Sequence, residues 1–170
     1  MPLAVTHVIS TVVLVDLYRD YITRHKHYFS LGTVFLAGLA GLLPDIDIPL
    51  GWVLKLFGLS LQHGGYTHTL AFSLLFLIPG LVLWQRKKHK PAVAFFVVSF
   101  GIFLHILLDY ALGGGAYEGV MWLWPISTQA FKLHLLRRLS INNIPNALDA
   151  IILLAWLYHE EAAHKIRDYI

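Results

Sequence analysis

The longest apolar run in the chain, Pro91 to Leu108, closes on His105-Ile-Leu-Leu-Asp109, two ionisable residues where a hydrophobic helix should end cleanly. Residues four apart lie one above the other on a single helical face, a spacing suited to a hydrogen bond or to shared metal ligation. An ionisable side chain deep in a bilayer costs about 2.5–3.5 kcal/mol on insertion scales, so such a pair calls for an explanation. A neutral His105 bonded to an Asp109 that marks the water boundary would suffice if the pair stood alone. It does not, because four other apolar segments carry His or Asp at the same end.

Composition narrows the solvent in which the chain folds. Hydrophobic residues make up 57% and charged residues 14%, with mean hydropathy +0.63, whereas soluble domains carry about a quarter charged residues. This is the composition of an integral membrane protein forming one domain over 1–170. The net charge of +3 comes from short basic clusters, which fit membrane orientation and give no sign of a nucleic-acid partner. With no cysteine, imidazole and carboxylate are the metal ligands left, and there are ten His against ten Asp plus Glu. The first residues lack a basic region ahead of their apolar stretch and a small-residue cleavage site, and read as a first helix instead of a signal peptide.

Five apolar segments stand out: Pro2 to Tyr18, Tyr28 to Leu43, Thr69 to Gln85, Pro91 to Leu108 and Ala147 to Tyr158. Each is at or just below the length of a spanning helix, about 17–25 residues. The expectation is an all-α, multi-pass helical bundle of about five spans. A sixth stretch, Gly119 to Phe131, is short and carries Trp122, Trp124 and Pro125, as a re-entrant or interfacial segment would. The basic residues divide unevenly. Nine (Arg19, Arg24, Lys26, Arg86, Lys87, Lys88, Lys90, Lys165 and Arg167) fall on one side of an alternating topology, and four (Lys55, Lys132, Arg137 and Arg138) on the other. The positive-inside rule makes the first side cytoplasmic. His7, Asp45, Asp47, His63, His68, His105, Asp109 and Asp149 then share the opposite, non-cytoplasmic end, a convergence that depends only on helix alternation.

In GLLPDIDIP, Pro44 biases Leu43 away from helical geometry, and Asp45 and Asp47, two apart, would point the same way from an extended turn. Paired hard oxygens suit a divalent cation, though an acidic loop capping a helix would also explain them. In QHGGYTHT, Gly64 and Gly65 allow a tight turn between His63 and His68, and Thr67 or Thr69 can cap the next helix. His7 follows Thr6 and precedes Ser10 by one turn. Tyr117 and Glu118, after a glycine run, are candidates for a general acid or base or an extra ligand. His25, His27, His89, His159 and His164 fall on the basic side and read as solvated residues. No G-x-S-x-G, Walker, Rossmann or HExxH pattern occurs. Mixed His and Asp without thiolate suit Zn²⁺, or Mn²⁺, as one to three ions generating hydroxide at neutral pH.

These blocks, Thr6-His7, Leu42 to Asp47, His63 to His68, His105 to Asp109 and Leu123 to Pro125, resemble the YdjM-type membrane-bound, metal-dependent hydrolases, also described as LexA-binding and inner-membrane-associated. The family is distantly like zinc-dependent phospholipase C and related nucleases. The resemblance implies His7, Asp45, His63, His68, His105 and Asp109 as metal ligands. The chain departs from the family where an Arg often follows the first His of the second block, since Gly64 stands there.

The expectation is therefore an inner-membrane hydrolase acting on a phosphoester or other amphiphile at the lipid boundary, with Asp47 or Glu118 as the acid–base group. Two alternatives use the same residues. A non-enzymatic protein would bind or transport a metal or proton, and a structural pair would hold helices together by hydrogen bonds worth about 0.6–2 kcal/mol.

Overall fold

A computed structural model describes residues 4–23, 28–61, 63–113, 119–133, 135 and 145–164. The regular structure described there is helical, apart from one isolated antiparallel bridge between Val120 and Phe131. Helix α1 (Ala4–Leu17) runs on into a π-helical turn (Tyr18–Thr23). Then come α2 (Leu31–Ala40), a 3₁₀ turn (Pro44–Ile46), α3 (Asp47–Lys55), α4 (Leu70–Gln85), α5 (His89–Leu112) and α6 (Pro145–His164).

Helix α5 is the centre of the bundle, with α1, α2 and α4 packed against it and α6 against α1. Two small-residue contacts set its distance from its neighbours. A Cβ on Gly101 would lie 2.6 Å from Ala40 Cβ and 3.1 Å from the Gly41 nitrogen, and one on Gly41 would lie 2.9 Å from the His7 carbonyl oxygen. Only hydrogen fits at either place, so α2 can lie directly on α5 and bring its C-terminal carbonyls over His105. Between α4 and α5, Ser73 and Ser99 exchange buried hydrogen bonds of 3.0 Å, the interhelical glue favoured where lipid offers no competing partner.

Interior and exterior are inverted relative to a water-soluble fold. Thirteen buried residues are polar or charged against eleven that are hydrophobic, among those described, while Phe35, Leu75, Ile78 and Leu154 on three different helices are 58–70% exposed. Lipid is the solvent that tolerates such a surface. By length and composition α5 can cross a bilayer. The pair Gly32–Ala40 and Pro44–Lys55, bent by 54°, makes a second candidate if read as one broken span. Helix α4, with 16 residues, is apolar but shorter. Among the described residues the helices long and apolar enough to cross thus number one or two, where the sequence alone suggests about five.

One local expectation is corrected. Leu43 is helical (φ −57°, ψ −39°) and Pro44 opens a 3₁₀ turn leading directly into α3, because proline is well accommodated in a first helical turn, where its missing N–H leaves no bond unmade. Asp45 and Asp47 therefore follow a helical path, not an extended one. The stretch 119–131 is a turn-rich cap: Val120 and Phe131 exchange hydrogen bonds of 2.9 Å, and Trp122 O accepts from Leu70 N–H at the start of α4. A bent helical pair, with the shape of a broken span or a re-entrant loop, lies at residues 32–55.

Replacing Gly101 by Val should overpack the α2–α5 contact at a cost of about 1–3 kcal/mol, read as a lower thermal midpoint in detergent. An unchanged midpoint would contradict this close approach.

Candidate metal centre

Five elements bring their ends to one place. Helix α1 supplies His7 from its first turn, the 3₁₀ turn supplies Asp45, and α3 supplies Asp47 as its first residue. The loop before α4 supplies His63 and His68, and the last turns of α5 supply His105 and Asp109. The N-terminal part of α6 joins them, because Thr6 donates a hydrogen bond to Asp149. Thr69 caps α4 by accepting from the Phe72 N–H at 3.1 Å, which fixes where the helix starts and holds His68 at its mouth.

Four donor atoms converge. His68 Nε2 and His105 Nε2 are 3.3 Å apart, and each lies 3.4–3.6 Å from Asp45 Oδ1 and from Asp109 Oδ2. Ligands bonded tetrahedrally at about 2.0–2.2 Å stand roughly 3.3–3.6 Å from one another. His7 Nε2 approaches the other oxygen of the same carboxylate, Asp109 Oδ1, at 3.5 Å, with its ring stacked on His105 at 3.8 Å between centroids. Asp109 thus turns its two oxygens to different partners, as a bridging carboxylate does. His63 is the outermost member, its Nε2 4.0 Å from Asp45 Oδ1. By donor-atom spacing, His7, His105 and Asp109 form one candidate ligand group, and Asp45, His63 and His68 another.

The imidazoles are oriented from behind. His105 Nδ1 is 2.7 Å from the Gly41 carbonyl. Since a carbonyl only accepts, Nδ1 carries a proton and Nε2 is the nitrogen turned toward the centre. Asp47 does the same for two others, accepting from His63 Nδ1 at 2.7 Å and standing 3.5 Å from His68 Nδ1. It also accepts from Gly64 N–H and Thr67 Oγ1, both at 3.1 Å. Gly64 adopts φ +83°, a conformation that favours glycine. Asp47 is therefore engaged by neighbours on both oxygens, while Asp45 and Asp109 face the cluster. Carboxylates and carbonyls placed behind metal-binding histidines are the usual means of fixing tautomer and ring direction. His68 is fully buried, which alone would lower its pKa, but the Asp45 and Asp47 carboxylates 3.5–3.6 Å from its ring nitrogens outweigh burial and raise it.

The donor set fits a divalent cation. His7 Nδ1, Asp45 Oδ1 and both oxygens of Asp109 are buried without a hydrogen-bond partner, and an unpaired buried carboxylate is too costly to persist unless a cation balances it. Nitrogen and carboxylate donors without sulfur suit zinc or manganese.

Of the residues the sequence picks out, His7, Asp45, Asp47, His63, His68, His105 and Asp109 are brought together. Tyr117 and Glu118 lie outside the described residues. Three contributors were not picked out for these roles: the Gly41 carbonyl, the Gly64 N–H and Thr67, whose hydroxyl lies 3.1 Å from His68 Nδ1. Backbone groups leave no mark on residue type, although the small residue at position 41 was a legible hint of close approach.

A second polar cluster lies toward the other end of α1, where Asp16, Asp20 and Glu160 come together. Arg19 pairs with Asp16 at 3.3 Å and Asp20 at 3.0 Å, and Trp156 Nε1 donates to Asp16. His159 joins it through contacts with Tyr21 at 2.8 Å and Glu160 at 3.2 Å, so it is packed between helices and not simply solvated. A guanidinium already balances two of these carboxylates, and the cluster reads as the polar joint between α1 and α6.

Comparison with known proteins points to the inner membrane. A model of the YdjM inner membrane protein family matches residues 1–166. The chain is 33% identical over 103 residues to "Inner membrane protein YbcI" of Escherichia coli (strain K12), a match covering 58% of this chain and 56% of that protein. The chain thus matches little more than half of that relative's length. No solved structure matches. The extent of the family match settles membership: this chain belongs to the YdjM inner membrane protein family.

Proposed function

We propose that this protein is a multi-pass inner-membrane hydrolase, dependent on zinc or manganese, that cleaves a phosphoester or lipid-like substrate. The observation that carries the reading is the convergence of His68, His105, Asp45 and Asp109 at ligand spacing, with His105 locked in the Nδ1–H tautomer by the Gly41 carbonyl. These four would hold one ion, and His7 with the second oxygen of Asp109 would hold another. A divalent cation bound there supplies a Lewis acid and a source of hydroxide at neutral pH.

The chain's own residues supply the rest. Asp47 is a positioning residue, since its oxygens are engaged by His63, Gly64 and Thr67. It holds His63 with the Nδ1 proton inward, leaving Nε2 free at the mouth beside Asp45. That base-and-orienter arrangement makes His63 Nε2 the group to take the proton of attacking water and return it to the leaving alkoxide as the ester bond breaks.

Helix length supports a site at the membrane boundary. Twenty residues separate His89, beside the basic turn Arg86 to Lys90, from Asp109, about 30 Å along α5 and close to the thickness of the hydrocarbon core. With the basic turn at the cytoplasmic boundary, the centre lies at the opposite, non-cytoplasmic one.

Divalent-dependent phosphoesterase activity of the purified protein should fall at least about 100-fold in His68→Ala and Asp109→Ala, and about 10–100-fold in Asp47→Asn, with metal affinity weakened in parallel. Wild-type activity in both alanine variants would overturn the assignment. Metal binding without turnover of any phosphoester would favour a binding or transport protein using the same cluster.

A further inference from the structure

The centre is nearly sealed. The side chains of His68, His105 and Asp109 expose nothing and that of His7 only 2%, whereas Asp45 exposes 19% and His63 29%. Whatever reaches the donors passes between those two. On the Asp45 side the passage meets a groove of about 390 Å³ lined by Leu39, Leu42, Leu43, Ile46 and Pro49, with Asp45 as its one charged member. That volume is in the range of small-molecule sites. Among the described residues no lysine or arginine lines the groove, so a small soluble phosphate ester finds no cation there.

The groove also faces outward into an apolar surface. Leu39, Leu42 and Ile46 are 36–51% exposed, and on the helix that continues from it Trp52 is 70% exposed. In a family of inner membrane proteins the medium covering such a surface is lipid. We propose that the groove holds one acyl chain of a membrane phospholipid, which enters sideways from the bilayer and brings its phosphoester to Asp45 and His63. The position of the headgroup rests on the metal-dependent hydrolase reading, while the chain's place rests on the groove alone. Lateral entry also accounts for a centre with so little opening to water.

The test uses the full chain in lipid nanodiscs with a phosphatidylethanolamine bearing a diazirine near the end of one acyl chain. Photolabelling of the 39–49 peptide should saturate, be competed by unlabelled phosphatidylethanolamine, and fall about tenfold in Ile46→Arg, where a charge is set into the apolar groove. Ile46→Gln, a milder change, should reduce it in the same direction, and bound metal measured in both variants shows that the fold persists. Labelling that does not saturate, or that is unchanged in both variants, would mean ordinary boundary lipid and overturns the proposal. A water-soluble aryl phosphodiester assayed in parallel reads the hydrolase separately. Saturable labelling without its turnover, or that of phosphatidylethanolamine, keeps the lipid site and removes only the hydrolase reading.

Discussion

Asp109 is wholly buried at the end of an apolar helix, and neither of its oxygens has a hydrogen-bond donor. Burying a carboxylate without a partner costs several kcal/mol even after local relaxation. Everything around it answers that cost: three imidazole nitrogens lie within 3.5 Å of its two oxygens, one from its own helix (His105) and two from other parts of the chain (His7 and His68). Imidazoles alone meet the charge only if protonated, and the Nδ1 proton of His105 is directed away from Asp109, at the Gly41 carbonyl. A divalent cation would satisfy the carboxylates and the imidazole lone pairs together, which is the physical basis of the proposed metal centre.

The fold serves that convergence. Gly101 and Ala40 let α2 press on α5, so that the chain leaves α2 directly above His105 and turns at Pro44 with Asp45 facing inward. The loop that follows α3 returns with His63 and His68, and the Thr69 cap ends it. Asp47 ties these pieces together from behind, so its substitution should disturb two histidines at once. The Asp16–Arg19–Asp20–Glu160 joint fastens α6 to α1 well away from the centre, leaving the helix ends to be set by packing.

Much of this was legible in the sequence for one reason: helices alternate in direction, so His and Asp placed at alternating ends of apolar segments must meet. The four-residue spacing of His105 and Asp109 was likewise readable, as was the Thr69 cap. What escaped was set by tertiary contact. Pro44 after Leu43 argues for an extended turn, yet proline at a helix start is equally acceptable, and the helical choice put Asp45 at the donors and Asp47 behind them. The Gly41 carbonyl has no side-chain signature. Asp16 and Glu160, far apart in sequence, revealed nothing until α1 and α6 were seen side by side. Composition overran the first two helices, which span 14 and 10 residues because the chain turns at residues 41–43 and enters a π-helical turn at Tyr18, and it fell short of the 24-residue α5 and 20-residue α6, whose polar ends hydropathy alone does not include.

The most direct test is the metal content of the detergent-purified protein by elemental mass spectrometry, comparing wild type with His105→Ala/Asp109→Ala. The account predicts at least about one zinc or manganese per chain in the wild type and its loss from the double variant with helicity retained. If the wild type holds no metal even after reconstitution, or the variant holds as much, the convergent helix ends are not a metal centre.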